Sequence, residues 1–234
     1  MTTFLLVPGA WLGGWAWKDV SSILEDKGHT SYPITLTGVG ERVHLASREI
    51  GIETAIEDVL NVIKYNDLDD IVLVGHSFAG KVVAAVSDRV SDKVKMILYL
   101  DAFRPEKRVR IAQGSFDPNE FGNLKPGQWT IPLTSEILGN IGKDVKGKEK
   151  EWMLSKVTPW PVRYAVDPVT LSDSFDSLES AYIFCTGGGD PVDEIISGKW
   201  GKLDGRVKVI ESGHWPMLTR PTELAEDILE LTTI

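Results

Sequence analysis

The sequence has almost no cysteine, no long hydrophobic run and no excess of basic residues. Cys185 is the single cysteine, which excludes an internal disulfide and a cysteine-ligated zinc site. No stretch approaches the roughly 18 apolar residues of a membrane span. The net charge is −9, from 25 basic and 34 acidic residues. A protein that binds nucleic acid needs a positively charged surface to bind the phosphates. We therefore expect neither a nucleic acid nor a membrane as a partner.

The first residues also lack the features of a secretory signal. They carry no basic region, and their apolar run, residues 4–7, is far shorter than a signal peptide requires. We therefore expect a cytoplasmic protein. The chain of 234 residues is 42% hydrophobic, which is enough for one sizeable core and predicts a single domain over residues 1–234.

Short apolar runs alternate with amphipathic segments along most of the chain. Because the strands are apolar throughout, the pattern predicts an α/β fold with a mainly parallel sheet and helices on both faces. The predicted strands are residues 4–7, 30–34, 71–74, 94–100, 181–185 and 206–210, and the predicted helices are residues 15–26, 52–65, 79–90, a short one near Asp193 and one from Thr222. The rhythm breaks over residues 104–178, where only about 145–157 is helical, and such an insertion is typical of a lid over a site or of a decoration.

The segment Gly75-His76-Ser77-Phe78-Ala79 lies between a predicted strand and a predicted helix. In that context the G-x-S-x-A pattern is typical of a nucleophile elbow. The turn is strained, and only small residues fit two positions before and after the nucleophile, here Gly75 and Ala79. The pattern predicts that Ser77 is a nucleophile; the alternative is a helix cap in a chance match.

A serine nucleophile needs a base, and the chain has four histidines. His214 follows the last predicted strand, and sites in open parallel sheets form at the carboxyl ends of strands. It is therefore the predicted base. We expect His29 to be structural, His76 to point away from the nucleophile and His44 to be a candidate for the pocket wall.

The base needs an orienting carboxylate. Asp190 follows the strand 181–185 within five residues and is the predicted carboxylate. Asp193, three residues further on, is the alternative. An oxyanion hole needs two backbone N–H donors. Phe78, directly after the nucleophile, supplies one. Ala10 is the expected second donor, because Pro8 has no N–H and Gly9 lets the backbone approach closely.

These motifs together resemble the α/β-hydrolase superfamily, in which the triad residues follow in the same order, Ser…Asp…His. The segments that show this resemblance are residues 6–17 (LVPGAWLGGWAW), the elbow, Leu100-Asp-Ala-Phe103 and Gly213-His-Trp-Pro-Met217. More narrowly, the chain is similar to the branch with plant methyl-salicylate and methyl-jasmonate esterases, hydroxynitrile lyases and bacterial esterases. The resemblance implies a compact core, a small cap over the site, and no metal or organic cofactor.

Two positions separate the activities of that branch. The resemblance implies that a lyase carries lysine after the catalytic histidine and threonine in the oxyanion loop. Here these positions are Trp215 and Gly9, which favours ester hydrolysis. Introducing both lyase residues is expected to raise lyase activity. A cyanohydrin lyase and a non-catalytic binding protein on the same scaffold remain the alternatives.

The sequence thus predicts a serine carboxylic-ester hydrolase that works through an acyl-enzyme. Aromatic side chains suggest a pocket for a small hydrophobic or aromatic ester. The candidate pocket residues are Gly9, Trp11, Trp129, Trp152, Trp160 and Trp215. Exposed tryptophan would also allow a homo-oligomer, although no sequence feature requires one.

Overall fold

The structure is built on a six-stranded sheet in which every pairing is parallel. The computed structural model describes residues 1–102, 104–105, 127–188 and 205–232. The strands of this sheet are β1 (Thr3–Val7), β2 (Thr30–Pro33), β3 (Ile71–His76), β4 (Val94–Leu100), β7 (Ser180–Cys185) and β8 (Arg206–Ile210). Their order is β2-β1-β3-β4-β7-β8. The four central strands are almost entirely buried, which explains their apolar sequences.

Helices cover the sheet in two packed pairs. The helices of the core are α1 (Lys18–Asp26), α2 (Ile52–Tyr65), α3 (Ala79–Arg89), α7 (Pro216–Thr219) and α8 (Pro221–Thr232). Helix α1 packs on α8, and α2 packs on α3. Short 3-10 helices span Gly14–Trp17, Gly40–Leu45, Ser91–Lys93, Asp173–Ser177 and Thr186–Gly188. Within the described ranges, no helix has the length and apolarity needed to cross a membrane.

The predicted elements of the core agree closely with the observed ones. Strand β3 continues two residues beyond the predicted strand, to His76, and so carries the elbow directly. Strand β2 is the least apolar because it is an edge strand whose residues are half-buried or exposed. The short helix predicted near Asp193 lies outside the described residues.

The segment between β4 and β7 is described over residues 127–178, which we call the insertion. Its elements are β5 (Thr130–Ile131), α4 (Ser135–Ile141), α5 (Gly147–Leu154), β6 (Trp160–Pro161) and α6 (Val162–Val166). Strands β5 and β6 form a separate antiparallel pair. The irregular composition therefore corresponds to short elements that add no strand to the main sheet.

Lys81, on α3, fastens the insertion to the core. Its buried Nζ donates hydrogen bonds to the carbonyl oxygens of Ala165, at 2.8 Å, and Asp167, at 3.0 Å. Burial lowers the pKa of Lys81 to about 8, against the opposing effect of the Asp167 charge. An anchoring ammonium thus sits one helical turn beyond the elbow.

Candidate active site

Ser77 stands at the tip of a strained turn between β3 and α3. Its φ is +57°, and its N–H donates to the Leu100 carbonyl at 3.0 Å. A Cβ on Gly75 would lie 2.5 Å from Val83 Cγ2 and 2.9 Å from the Ala79 carbonyl oxygen. Only glycine fits there, so the turn has the tight geometry that the motif predicts. Ser77 is partly exposed, whereas its neighbours His76 and Phe78 are buried.

His214 is bound to a carboxylate through one ring nitrogen. Its Nδ1 lies 2.5 Å from Asp101 Oδ2, and both side chains are mostly buried. A carboxylate at this position fixes the ring and its tautomer, with the proton on Nδ1 and Nε2 left as a base. The arrangement is that of a base with its orienting group.

Asp101 is itself held in place by β7. Its N–H donates to the Ile183 carbonyl at 2.8 Å, and its Oδ1 accepts the Cys185 N–H at 3.2 Å. Its φ is +44°, an uncommon conformation for a residue other than glycine. Burial, and then the nearby charges of Asp101 and Asp144, raise the pKa of the Cys185 thiol, so this cysteine stays protonated.

The carboxylate on His214 differs from the residue that the sequence suggested. Asp190 and its alternative Asp193 both lie outside the described residues, whereas Asp101 occupies the Nδ1 position. The signal was available, because Asp101 directly follows β4. Strand β4 pairs with both β3 and β7, and the carboxyl ends of parallel strands meet at one edge. The prediction of Asp190 rested on the strand that precedes His214 and left out the strand that ends before Asp101.

The structure places the His76 ring against the loops that carry Gly9 and His214. Its ring is fully buried and lies 4.6 Å, between centroids, from the ring of His214. Its Nδ1 accepts the Gly9 N–H at 3.1 Å, and its Nε2 lies 2.7 Å from the His214 carbonyl oxygen. Of the other histidines, His29 packs on Phe4, and His44 is exposed in the 3-10 helix Gly40–Leu45. His76 therefore belongs to the framework of the site.

The loop after β1 passes directly beside the elbow. A Cβ on Gly9 would lie 3.1 Å from Ser77 Cβ, so the two backbones are in close approach. Among the described residues, none accepts a hydrogen bond from the backbone N–H of Ala10 or of Phe78. Phe78 lies at the start of α3, where free N–H groups are inherent to helix geometry. The two predicted donors are thus available to an oxyanion.

An aromatic cluster surrounds this loop. The ring of Phe78 lies 4.8 Å from Trp160 and 6.0 Å from Tyr164, and Trp11 lies 6.0 Å from Trp160. Trp11 has a φ of +66°, and its Nε1 donates to the Ile131 carbonyl at 2.8 Å. Of the candidate pocket residues, Gly9, Trp11 and Trp160 are brought together here.

The remaining candidate pocket residues lie elsewhere. Trp152 is 39% exposed and packs edge-on against Trp15. Trp129 is partly buried, and its carbonyl accepts the N–H of Val162 at the end of β6. Trp215 is buried and packs so tightly on Gly142 that a Cβ there would overlap its ring. Trp215 therefore packs as core between the base and the insertion.

The loop that carries His214 is held by the insertion. Asp144 Oδ2 accepts the Gly213 N–H at 2.8 Å, the Thr219 hydroxyl at 2.9 Å and the Ser212 hydroxyl at 3.2 Å. The His214 N–H donates to the Ile141 carbonyl at 3.0 Å. The carbonyl of Ile141, at the end of α4, and the carboxylate of Asp144, just beyond it, thus hold the loop that carries His214, which we call the base loop.

Comparison with known proteins decides the family. The sequence profile described as the alpha/beta hydrolase family matches residues 4–227. This chain belongs to that family. The fold class predicted from the sequence is confirmed, as is the narrower branch.

This hydrolase has relatives across nearly its whole length. It is 30% identical to a carbendazim hydrolyzing esterase of Nocardioides sp. (strain SG-4G), over 99% of this chain and 100% of the relative. It is 26% identical to Methylesterase 2 of Arabidopsis thaliana, over 97% and 95%. An extracellular alpha/beta-hydrolase from a Paenibacillus species, reported to share structural and functional homology with tobacco salicylic acid binding protein 2, superposes with a TM-score of 0.83 at 25% identity, covering 99% of each chain.

These relatives are named as esterases and hydrolases, which confirms the predicted enzyme class, a carboxylesterase. They leave open which residues of this hydrolase carry the reaction and which ester it cleaves. Those questions depend on the geometry of the site.

Proposed function

We propose that this hydrolase cleaves a small hydrophobic or aromatic ester through a triad of Ser77, His214 and Asp101. The observation that carries the proposal is the 2.5 Å contact between His214 Nδ1 and Asp101 Oδ2, beside an elbow serine with a φ of +57°. Asp101 replaces Asp190 as the orienting carboxylate, because the single N–H on Nδ1 is directed to it.

In this reaction His214 Nε2 takes the proton of the Ser77 hydroxyl as the oxygen attacks the ester carbonyl carbon. The tetrahedral intermediate then collapses, the C–O bond to the alcohol breaks, and the imidazolium donates its proton to the leaving alkoxide. Water, activated by the same histidine, hydrolyses the acyl-enzyme and releases the acid. The negative charge of Asp101 stabilises the imidazolium in both halves of the reaction.

The developing oxyanion is bound by the N–H groups of Ala10 and Phe78. Support comes from their lack of other acceptors among the described residues and from the close approach of Gly9 to Ser77. Losing one such donor typically costs about 100- to 1,000-fold in rate. The start of α3 adds the favourable field of a helix N-terminus.

The aromatic cluster of Phe78, Trp160 and Trp11 supports the substrate class. It places apolar rings next to the proposed oxyanion donors, where the acyl or alcohol part of an ester would lie. Two relatives carry the names carbendazim hydrolyzing esterase and Methylesterase 2, so carbendazim and methyl esters of aromatic acids are the substrates to test first.

We also infer that the insertion acts as a cap. It contributes Trp160 to the aromatic cluster, and Ile131 accepts the hydrogen bond from Trp11 Nε1. These contacts join it to the proposed oxyanion loop. A cap in this position would shape the pocket and shield the reacting groups from bulk solvent.

The test is rapid mixing of the pure protein with p-nitrophenyl acetate. We expect a burst of nitrophenol followed by steady turnover, since the acyl-enzyme accumulates before it is hydrolysed. Ser77→Ala should abolish the burst and lower kcat by about 10⁴-fold or more. Ser22→Ala, at an exposed position of α1, is the matched control and should behave like the wild type.

Equal, negligible rates in the wild type and Ser77→Ala would contradict the proposal. Release of cyanide from mandelonitrile that exceeds ester hydrolysis would instead support the lyase alternative. Tight ligand binding without turnover of any ester or cyanohydrin would support the binding protein.

A further inference from the structure

The two loops that form the proposed site, the oxyanion loop and the base loop, come from distant segments of the chain. The oxyanion loop follows β1 and contains Gly9, whereas the base loop follows β8 and ends at His214. No strand pairing joins β1 to β8, which lie four positions apart in the sheet. The buried ring of His76 lies between the two loops and contacts both.

The two contacts require one tautomer of the His76 ring. The Gly9 N–H is a donor, so Nδ1 must accept it without a proton. The His214 carbonyl oxygen is an acceptor, so Nε2 must carry the proton and donate it. A protonated ring would place two N–H groups face to face at Gly9 and break that bond.

The surroundings favour the neutral ring. Burial, and then the neighbouring His214, lower the pKa of His76 well below its usual range, although the bond to the His214 carbonyl opposes this. The titratable groups that face it are His214, at 4.6 Å between ring centroids, and beyond it Asp101 on the far nitrogen of that ring. Both the hydrogen bonds and the burial of the ring therefore favour the neutral tautomer.

We propose that His76 is a positioning residue that couples the oxyanion loop to the base loop through its two ring nitrogens. The proposal rests on the proposed function, because it assigns these loops to ester hydrolysis. His76 touches neither substrate nor the reacting atoms; it fixes the position of Gly9, next to the proposed donor Ala10, and of the backbone of the base. Displacing catalytic groups by about 1 Å costs roughly 100-fold in rate.

The same ring restricts residue 9 to glycine. A Cβ there would lie 2.5 Å from His76 Nδ1 and 2.8 Å from its Cε1. This side chain is locked by its two hydrogen bonds and cannot move aside cheaply. A threonine in the oxyanion loop is thus incompatible with His76 in its observed place.

Two conservative variants separate the two contacts. His76→Asn keeps an acceptor near the Nδ1 position and loses the donor to the His214 carbonyl. His76→Gln keeps a donor near the Nε2 position and loses the acceptor for the Gly9 N–H. Comparing kcat/KM for p-nitrophenyl acetate and benzyl acetate reports the acylation step of each, with the same acyl group and different leaving groups.

We expect His76→Asn to lose about 10-fold more on benzyl acetate than on p-nitrophenyl acetate, because only the benzyl alkoxide needs a proton from the base to leave. His76→Gln should lose kcat/KM equally on both esters, since both pass through the same oxyanion. Unchanged kcat/KM in both variants, or an identical loss on both esters in both variants, would overturn the proposal. Thermal unfolding of each variant checks that it is folded.

A second measurement does not depend on activity. Proton–nitrogen correlation spectra of the wild type with ¹⁵N-labelled histidine should show one ring fixed with its proton on Nε2 from pH 5.5 to pH 8.5, and His76→Asn should remove that signal. Four titrating rings, or the loss in His76→Asn of a ring whose proton lies on Nδ1, would disprove the proposed coupling through His76. If this signal is present while Ser77→Ala leaves all activity intact, the proposed function fails. The coupling of the two loops through His76 then still holds.

Discussion

The two halves of the site are held in different ways. The elbow half is fixed by a backbone hydrogen bond and by close packing: the Ser77 N–H bonds to Leu100, and neither Gly75 nor Gly9 has room for a side chain. The base half is fixed by side chains from distant segments, since Asp101 binds the ring of His214 and Asp144 binds Gly213 and Ser212. Residue 144 is 69 positions from residue 213.

The difference teaches which substitutions each half tolerates. A turn made of small residues fails when volume is added, because the close packing leaves no space. A loop held by carboxylates fails when an acceptor is removed, because buried donors then lose their partners. The two halves should therefore respond to opposite kinds of change.

The largest expected effect comes from removing the charge that orients the base. Asp101→Asn should lower kcat by about 10⁴-fold, because an amide favours the wrong tautomer of His214 and does not stabilise the imidazolium. Steady-state hydrolysis of p-nitrophenyl acetate measures it, with circular dichroism to check folding. Asp190→Asn is the matched control and should stay within a few-fold of the wild type; the reverse result would restore Asp190 as the carboxylate.

Adding a single methyl group to the elbow half should have the next largest effect. Gly9→Ala should lower kcat/KM by about 100- to 1,000-fold, since its Cβ would lie 2.5 Å from His76 Nδ1 and push the loop away from the oxyanion. Gly139→Ala is the control, because a Cβ there meets nothing within 4 Å.

The same geometry reverses the expectation from the sequence that exchanging residues 9 and 215 raises lyase activity. Gly9→Thr with Trp215→Lys should lose esterase activity without gaining mandelonitrile cleavage, because the threonine collides with His76 and the lysine replaces a buried ring. A gain of lyase activity in the double variant would show that His76 can move aside.

Removing an acceptor from the base half should have a smaller effect. Asp144→Ala leaves the Gly213 N–H without its acceptor, which costs about 1–3 kcal/mol of unfolding free energy, whereas the Ser212 hydroxyl keeps the Thr219 hydroxyl as a partner. We expect kcat to fall by about 10- to 100-fold as the base loop loosens. Asp92→Ala, at an exposed site, controls for the loss of one negative charge. Wild-type kcat in Asp144→Ala would show that Ile141 alone holds the loop.

The last prediction concerns stability and not activity, at Lys81, which connects the insertion to α3. Burial lowers its pKa to about 8 in the folded state, whereas in the unfolded state it should be about 10.4. Between these two values the unfolded state binds more protons, so the unfolding free energy of the wild type should rise with pH relative to Lys81→Met, by at most about 3 kcal/mol. Urea unfolding of both proteins at pH 7.5 and pH 10 measures this change. If the unfolding free energies of the two proteins changed equally between pH 7.5 and pH 10, burial would not lower the pKa of Lys81.

Much of the fold and the tight turn at Ser77 were predictable because their signals are local. The apolar runs of β1, β3, β4 and β7 mark strands buried on both faces, and Ser77 lies in a pattern complete within five residues. Asp101 was harder to identify, although it sits in a recognised segment. In the sequence, two predicted strands are each followed by a carboxylate, and spacing along the chain does not state which one reaches His214.

His76 shows the limit of motif reading most clearly. The motif names no partner for its side chain, whereas the structure shows its ring bonded to Gly9, 67 positions away, and to His214, 138 positions away. Trp152 and Trp215 show the same limit for the pocket. Composition marks both as aromatic candidates, but one is at the surface and the other is core.

The sequence by itself determined the parallel α/β framework, the elbow at Ser77 and the histidine after the last strand, because periodicity and turn chemistry act between near neighbours. Three features were decided by the tertiary structure alone. They are the contact of Asp101 with that histidine, the two hydrogen bonds of the His76 ring, and the hydrogen bonds of Asp144 to the loop before His214. Each of these is a hydrogen bond between segments far apart in the chain, and its existence depends on strand order and on how the insertion folds back, which no local pattern specifies.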